Sequence, residues 1–468
     1  MSLSPRLSSL PYDIYLDLFA YLDSIDIFNL LCSSKLIYSY ITDERIWRML
    51  ASRCGVTDIS AFQPDYTWHD VYTGLLHKYG GLLGLWASDY AYRGNILECR
   101  INEDGNWPGI ICEVWQFALA TDQHNSRDPW LPSYVESFHI RLNRPDTEDD
   151  SKASCYATLH WYSPAHWYPE TRSGVTPSLL LLSETNQASF IHVPVQGFSC
   201  ISQFPDFPPE NAAWYDNDNT LPRLSRELSH EHADPKKFFT KDALEPSCYL
   251  YLDTVDCTFP AALSFDIPEG CHAQLTLHQP YIPRFFDDFR YTYHPQDRTS
   301  LISTTDRYYP LRRSPPLDNN PSMDWSPQRL VGIWLGAYGP HGTEVLYIDW
   351  QPQSNEVWAW KITGDFNVPR GAITWRFNVN DGGNKVPAGS FGDLKPSASF
   401  CGIGTISSVG FLEYGQDQVP MYIAICGQNE IYANWLDMSI ISRYRRYMGR
   451  QLSSEVVNGS ERKPVFGL

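Results

Sequence analysis

The chain has 468 residues and a formal net charge of −18, which leaves room for two or three domains and excludes a general nucleic-acid surface. Its 16 Trp and 29 Tyr favour β-structure over a helical array. Residues 1–20 lack a basic start and an apolar core, and the longest aliphatic run, Leu179 to Leu182, is too short for a bilayer, so the expectation is a soluble protein, cytoplasmic and/or nuclear, with no membrane contact.

In chain order, Leu10-Pro11 opens a helix with Ile14, Tyr15, Leu18, Phe19 and Leu22 on one stripe, and Asp23 and Ser24 end it. A second amphipathic stretch carries Ile27, Leu30 and Leu31. A third runs from Thr42 through Ile46, Trp47 and Leu50. Pro11 suits a first helical position. Ser24 is expected to cap the second helix and Thr42 the third, with Asp26, Asp43 and Glu44 favouring the helix dipoles. Helices this short cannot bury their apolar stripes among themselves, so part of that surface is expected to face a partner.

The run LPYDIYLDLFAYLDSIDIFNLLCSSKLIYSYITDERIWRML closely resembles an F-box. The resemblance implies that residues 1–55 bind Skp1 and, through it, cullin-1 in a ubiquitin ligase. The residues expected at that contact are Leu10, Pro11, Ile14, Leu18, Leu22, Ile27, Leu30 and Trp47, some of which pack internally. The competing reading is a helical module packed on the rest of its own chain. Residues 56–80 follow as a helical linker, with Trp68, Val71, Tyr72 and Leu75 at helical spacing.

The remainder contains one internal repeat. LGLWASDYAYRGNILECRI at 83–101 and VGIWLGAYGPHGTEVLYID at 331–349 align so that Gly84, Leu85, Trp86, Tyr90 and Gly94 meet Gly332, Ile333, Trp334, Tyr338 and Gly342. A Gly-x-Trp entering a strand is also how lipocalin-like barrels begin. Both copies are therefore read as turn-plus-strand units of one large antiparallel barrel over 81–448. Strict alternation supports further strands at Ile373 to Val379, at Val357 to Ile362, at Phe138 to Leu142 and at Ile111 to Phe117. The fold class is α+β: an N-terminal three-helix F-box, then a large antiparallel β-barrel with loop insertions. Insertions are expected near 143–153, 203–246 and 305–328, the second with a short helix from Leu221 to His232. Pro315, Pro316 and Pro321 argue against a regular element in the third. Residues 449–468 read as a disordered tail.

Eleven cysteines without a C-x-x-C pair fit reduced thiols rather than a disulfide framework. His230, His232 and Asp234 lie close together, but no cysteine pair accompanies them, so no metal is expected; no cofactor is implied either. No G-x-S-x-G, H-E-x-x-H or Walker loop occurs. Gly402-x-Gly404 lies in a β-rich stretch and reads as a bulge or turn. A non-catalytic protein is expected.

A narrower resemblance comes from KITGDFNVPRG at 361–371 with GAYGPHGTEV at 336–345, which is similar to the C-terminal barrel of F-box only protein 31 and its fungal relatives. Lys361, Ile362, Thr363, Gly364, Asp365, Asn367, Pro369 and Gly371 match that family's run, as do Tyr338, Gly339, His341, Gly342 and Glu344; Phe366 departs from it, standing where the family has proline. The resemblance covers roughly 8–50, 79–117 and 329–379. It implies a substrate-recognition adaptor in which the barrel captures an extended segment of a client protein for ubiquitylation. The client-binding candidates are Tyr338, His341, Glu344, Lys361, Thr363, Asp365 and Asn367, with Lys361 pairing a client carboxylate. Two alternatives stand beside this. In one, the loop folds on itself, with Asp365 satisfying backbone amides and His341 bonding Glu344. In the other, a lipocalin-like barrel binds or transforms a small ligand, with His341, Glu344 and Asp365 as acid/base groups.

Overall fold

The computed structural model describes residues 10–88, 96–103, 107–117, 129, 131–145, 154–164, 178–182, 190–201, 260, 262–266, 307–311, 325–337, 343–364, 367–368, 370–382, 386–407 and 416–450. The N-terminal helices are α1 (Tyr12–Phe19), α2 (Ser24–Cys32), α3 (Lys35–Tyr38) and α4 (Glu44–Arg53). The third expected helix is α4, and the short α3 precedes it. Each expected cap moves by one residue. Asp23 accepts from the Asp26 amide at 2.7 Å, and Asp43 accepts from the Arg45 amide at 2.9 Å. A carboxylate one residue ahead of the helix reaches the orphan amides and also favours the dipole. Pro11 stands just before α1, and its carbonyl accepts from the Ile14 amide. The Arg53 guanidinium donates to the Phe19 and Leu22 carbonyls at 2.6 Å each, tying the end of α1 to α4.

The linker is helical as its spacing predicts: α5 (Trp68–Val71), a π turn (Tyr72–Leu76) and α6 (His77–Tyr79). The Glu44 carboxylate accepts from the Trp68 amide at 2.7 Å, and Trp47 packs against Tyr72 and His69. On the other side Gly74 lies so close to Leu142 and Cys155 that a Cβ there would collide with both. The N-terminal helices, the linker and the inner face of the following sheet therefore share one hydrophobic core.

That sheet contains β1 (Gly84–Ser88), β2 (Ile96–Ile101), β3 (Gly109–Gln116), β4 (Ser133–Asn143), β5 (Tyr156–Pro164), β6 (Ser178–Leu182), β7 (Phe190–Pro194), β8 (Gly197–Ile201), β9 (Ala262–Asp266) and β10 (Arg307–Pro310). Its order is β7-β6-β9-β10-β1-β2-β3-β4-β5-β8. The two end strands, β7 and β8, are halves of a single run. The first half pairs antiparallel with β6, and the second pairs parallel with β5, His160 facing Gly197. Residues 190–201 thus pair at both ends of the strand order, with the contact between β5 and β8 the parallel one.

The second sheet is a closed eight-stranded antiparallel barrel of β11 (Gly332–Ala337), β12 (Thr343–Gln351), β13 (Glu356–Lys361), β14 (Ile373–Gly382), β15 (Ala398–Ser407), β16 (Gln416–Ile425), β17 (Glu430–Trp435) and β18 (Ile440–Arg446). The single large barrel expected over 81–448 is thus corrected to two sheets. Alternation identifies strands but not their partners, and each copy of the repeat opens its own sheet. The Trp86 indole donates to the Leu82 carbonyl at 2.7 Å, and the Trp334 indole donates to the Leu330 carbonyl at 2.8 Å. Gly84 and Gly332 both hold positive φ, 131° and 138°, at the strand entry, a conformation that favours glycine. The two sheets pack through Ala87, Ile96 and Trp115 on one side and Ile333, Leu335, Val345 and Tyr347 on the other.

Other expectations need correction. The 305–328 insertion contains β10, which pairs with β1, because the prolines that argue against structure lie C-terminal to that strand. Cys99 and Cys112 face each other across β2 and β3 and form a disulfide, where reduced thiols were expected; the pairing depends on hairpin register, which cysteine spacing does not reveal. Residues 146–153, 203–246 (with Leu221 to His232 and Asp234), Pro315, Pro316, Pro321 and 451–468 lie outside the described residues. Gly402 and Gly404 sit inside β15, and the register with β14 shifts between Phe377 and Gly382, opposite Gly402 and Phe400, so of the bulge or turn expected here the strand carries the irregularity and not the turn. A Cβ on Gly404 would overlap the buried Trp435 ring. Gly404→Ala is accordingly expected to destabilise the second barrel by about 1–3 kcal/mol through overpacking, read as a lowered midpoint in denaturant with the N-terminal helices unaffected.

Candidate functional sites

Two surfaces carry the residues singled out by sequence. The first lies on α1 to α3. Tyr15 and Phe19 turn inward and are fully buried, while Ile14 and Leu18, on a neighbouring stripe of α1, are exposed. Tyr21, 89 % exposed, continues that stripe just beyond the helix, and Ile25 and Phe28 on α2 and Leu36 and Tyr38 on α3 are also exposed. A helix whose core stripe is satisfied and whose second apolar stripe meets water is built to be covered by something else. Among the described residues, seven of the fifteen exposed large hydrophobic side chains fall between Ile14 and Tyr38, so this is where the apolar surface concentrates.

The structure divides the residues expected here. Ile14 and Leu18 are exposed, and so is Pro11. Leu10, Leu22 and Leu30 are partly buried against the core. Ile27 and Trp47, 1 % and 4 % exposed, are core residues, and the Trp47 indole donates to the Ile41 carbonyl at 2.7 Å. Sequence reasoning missed Tyr21, Ile25, Phe28, Leu36 and Tyr38. The signal that could have found them is that each lies off the stripe that reaches the core, in helices too apolar for a single buried face.

The second surface is the end of the eight-stranded barrel where β11 turns into β12 and β13 into β14. The opposite end is closed by Trp334, whose ring lies under the Arg446 guanidinium at 4.9 Å. Arg446 also donates to the Val331 carbonyl at 2.8 Å and to that of Arg329. Burial pulls Arg446 down to about 10, which still leaves it cationic at neutral pH. Toward the loop end, Gly336 leaves room for the Tyr444 ring and the Glu344 side chain. There Lys361 Nζ meets Glu344 Oε2 at 3.2 Å, and the Tyr444 hydroxyl donates to Glu344 Oε1 at 3.1 Å. Lys361 is 2 % exposed and Glu344 5 %.

Lys361 therefore pairs with Glu344 within the barrel. The loop after it is tied down on both sides. The Ile362 and Thr363 amides donate to the Val345 carbonyl, Thr363 Oγ1 accepts from the Val345 amide at 3.2 Å, and Asn367 Nδ2 donates to the Ser407 carbonyl at 2.9 Å. Val368 is buried, and Gly371 takes a φ of 80° where the chain turns back into β14. Glu344, Lys361, Thr363 and Asn367 are thus brought together at one end of the barrel. Tyr338, His341 and Asp365 lie outside the described residues. Among the described residues no group of His, Cys, Asp and Glu is placed to hold a metal, and no helix is long and apolar enough to cross a membrane.

Breaking a buried ion pair leaves the other charge without its counterion in low dielectric. Lys361→Met is therefore expected to cost about 3–5 kcal/mol, and Lys361→Met with Glu344→Met to recover much of that loss. Denaturant unfolding of the two variants reads the difference.

Residues 7–49 match the family model described as the F-box domain, and residues 313–448 match the one described as the Cyclin D1 binding domain. The second match covers the closed barrel and the segment just before it. The chain is also 34% identical over 96 residues to Protein EXECUTER 2, chloroplastic, of Arabidopsis thaliana, an alignment covering 17% of this chain and 15% of that protein; the chain thus spans only a small part of that relative. The chain carries an F-box domain at its N-terminus and a closed eight-stranded antiparallel barrel toward its C-terminus.

Proposed function

We propose that this chain is a non-catalytic substrate adaptor: its F-box binds Skp1 and so joins a Skp1–cullin–F-box ubiquitin ligase, and its second barrel captures a client protein. The observation that carries the reading is the exposed apolar surface of α1 to α3 within the segment that matches the F-box domain. F-box domains bind Skp1, and a surface rich in Phe, Tyr, Ile and Leu suits the apolar centre of a stable protein interface. Ile14, Leu18, Ile25 and Phe28 are its central residues, with Pro11 and Tyr21 at the margin.

For the client half, the match to a Cyclin D1 binding domain and the similarity to the F-box only protein 31 family support a protein client held at the second barrel. The interior of that barrel is filled by Trp334, Trp375, Phe377, Phe400, Trp435 and Tyr444, as side chains fill small eight-stranded barrels. This packing favours capture at the loop end over uptake of a small ligand. Thr363 and Asn367 form part of the rim where the client docks, and the Glu344–Lys361 pair holds that rim in shape.

The reading is tested by co-expression with Skp1 followed by size-exclusion chromatography with light scattering. A one-to-one complex that is lost with Ile25→Lys and Phe28→Lys, in a chain whose circular dichroism is unchanged, is the expected outcome. A monomer indifferent to Skp1 would overturn the adaptor reading.

A further inference from the structure

Beyond β18 the chain leaves the second barrel and crosses to the first sheet. Tyr447 begins on the second barrel, its amide donating to the Ile333 carbonyl at 2.8 Å. Its ring lies against Trp115 of β3, with centroids 4.5 Å apart, and its hydroxyl is 3.3 Å from that of Tyr134 in β4. Arg450 reaches farther. Its Nε is 3.3 Å from Glu98 Oε2 in β2, a second nitrogen bonds Glu113 in β3, and its guanidinium stacks 3.6 Å above the Tyr134 ring. Both acceptors are already engaged on the first sheet: Glu98 Oε2 accepts from the Trp115 indole at 3.0 Å and Glu113 Oε2 from Arg100 Nε at 3.0 Å.

We infer that Tyr447 to Arg450 form a strap that fixes the orientation of the closed barrel on the first sheet, with Arg450 as its positioning residue. The argument is geometric. The apolar contact between the barrel and the first sheet resists separation but sets rotation only loosely, since hydrophobic attraction has no direction. A guanidinium that bonds two carboxylates and lies on an aromatic face is directional, because its planar donors satisfy those partners in one arrangement. The carboxylates sit on adjacent strands of a sheet whose inner face shares its core with the F-box helices. The strap therefore links the orientation of the client-side barrel to the F-box. The segment matching the Cyclin D1 binding domain ends at residue 448, before Arg450. In the adaptor reading, on which this consequence rests, the strap sets where a client is held relative to Skp1.

The test measures a distance in the full chain. Spin labels on noncanonical residues at exposed Asp17 in α1 and Gln418 in β16 should give one narrow distribution in the wild type, with or without Skp1. Tyr447→Ala with Arg450→Ala should broaden it at least twofold and leave Skp1 binding unchanged. Arg450→Lys, which keeps the charge but loses the planar fork, should broaden it less. An unchanged distribution in the folded double variant would overturn the strap; if that variant fails to fold, an unchanged distribution in Arg450→Gln would do the same. Failure of the adaptor reading shows separately, as loss of Skp1 binding by the wild type.

Discussion

Phe19, Trp47, Leu75, Tyr79 and Leu82 lie in the same hydrophobic core as Cys99, Leu142, Leu159 and Trp161, and the arrangement of the molecule depends on that continuity. The N-terminal helices are too small to form a sufficient core alone. They reach one by docking on the linker, through Glu44 to the Trp68 amide and Trp47 to Tyr72. The linker reaches the sheet by the close approach of Gly74 to Leu142 and Cys155. Because core packing fills these α-helices from one side only, Ile14, Leu18, Ile25 and Phe28 remain in water on the other. The same interactions that give the F-box its shape therefore determine which of its apolar residues are left exposed.

Much of this was legible in the sequence. Three of the four N-terminal helices, the linker and the strands expected at 111–117, 357–362 and 373–379 followed from periodicity and from Gly and Pro punctuation, to within a few residues of their ends. The Gly-x-Trp repeat located two equivalent strand entries, and the structure adds that each indole bonds the carbonyl four residues earlier. Partner choice was not legible. Nothing in local alternation shows that β10 lies beside β1, or that residues 190–201 serve both edges of one sheet, since those pairings join segments far apart in the chain. Facing was legible only in part: Ile27 and Trp47 occupy positions as apolar as Ile14 and Leu18, and only packing separates the two pairs. Lys361 shows the same limit for charge. Its place in a polar loop motif suggested an exposed cation, while Glu344, seventeen residues earlier, is its buried counterion.

The first sheet and the barrel begin alike and are filled differently. The first sheet shares its core with helical residues of the F-box and linker, whereas the second is packed by its own tryptophans, phenylalanines and a tyrosine. Glycine makes that packing possible at Gly336 and Gly404, each covered by an aromatic ring. A barrel filled in this way, closed at one end by Trp334 under Arg446 and carrying a tied loop at the other, is the rigid support that the proposed client rim requires.

The most direct test of the account is hydrogen–deuterium exchange on the full chain with and without purified Skp1. The account predicts new protection concentrated in residues 12–38, with exchange in β11 to β18 unchanged. Protection confined to the two sheets, or none anywhere, would contradict it.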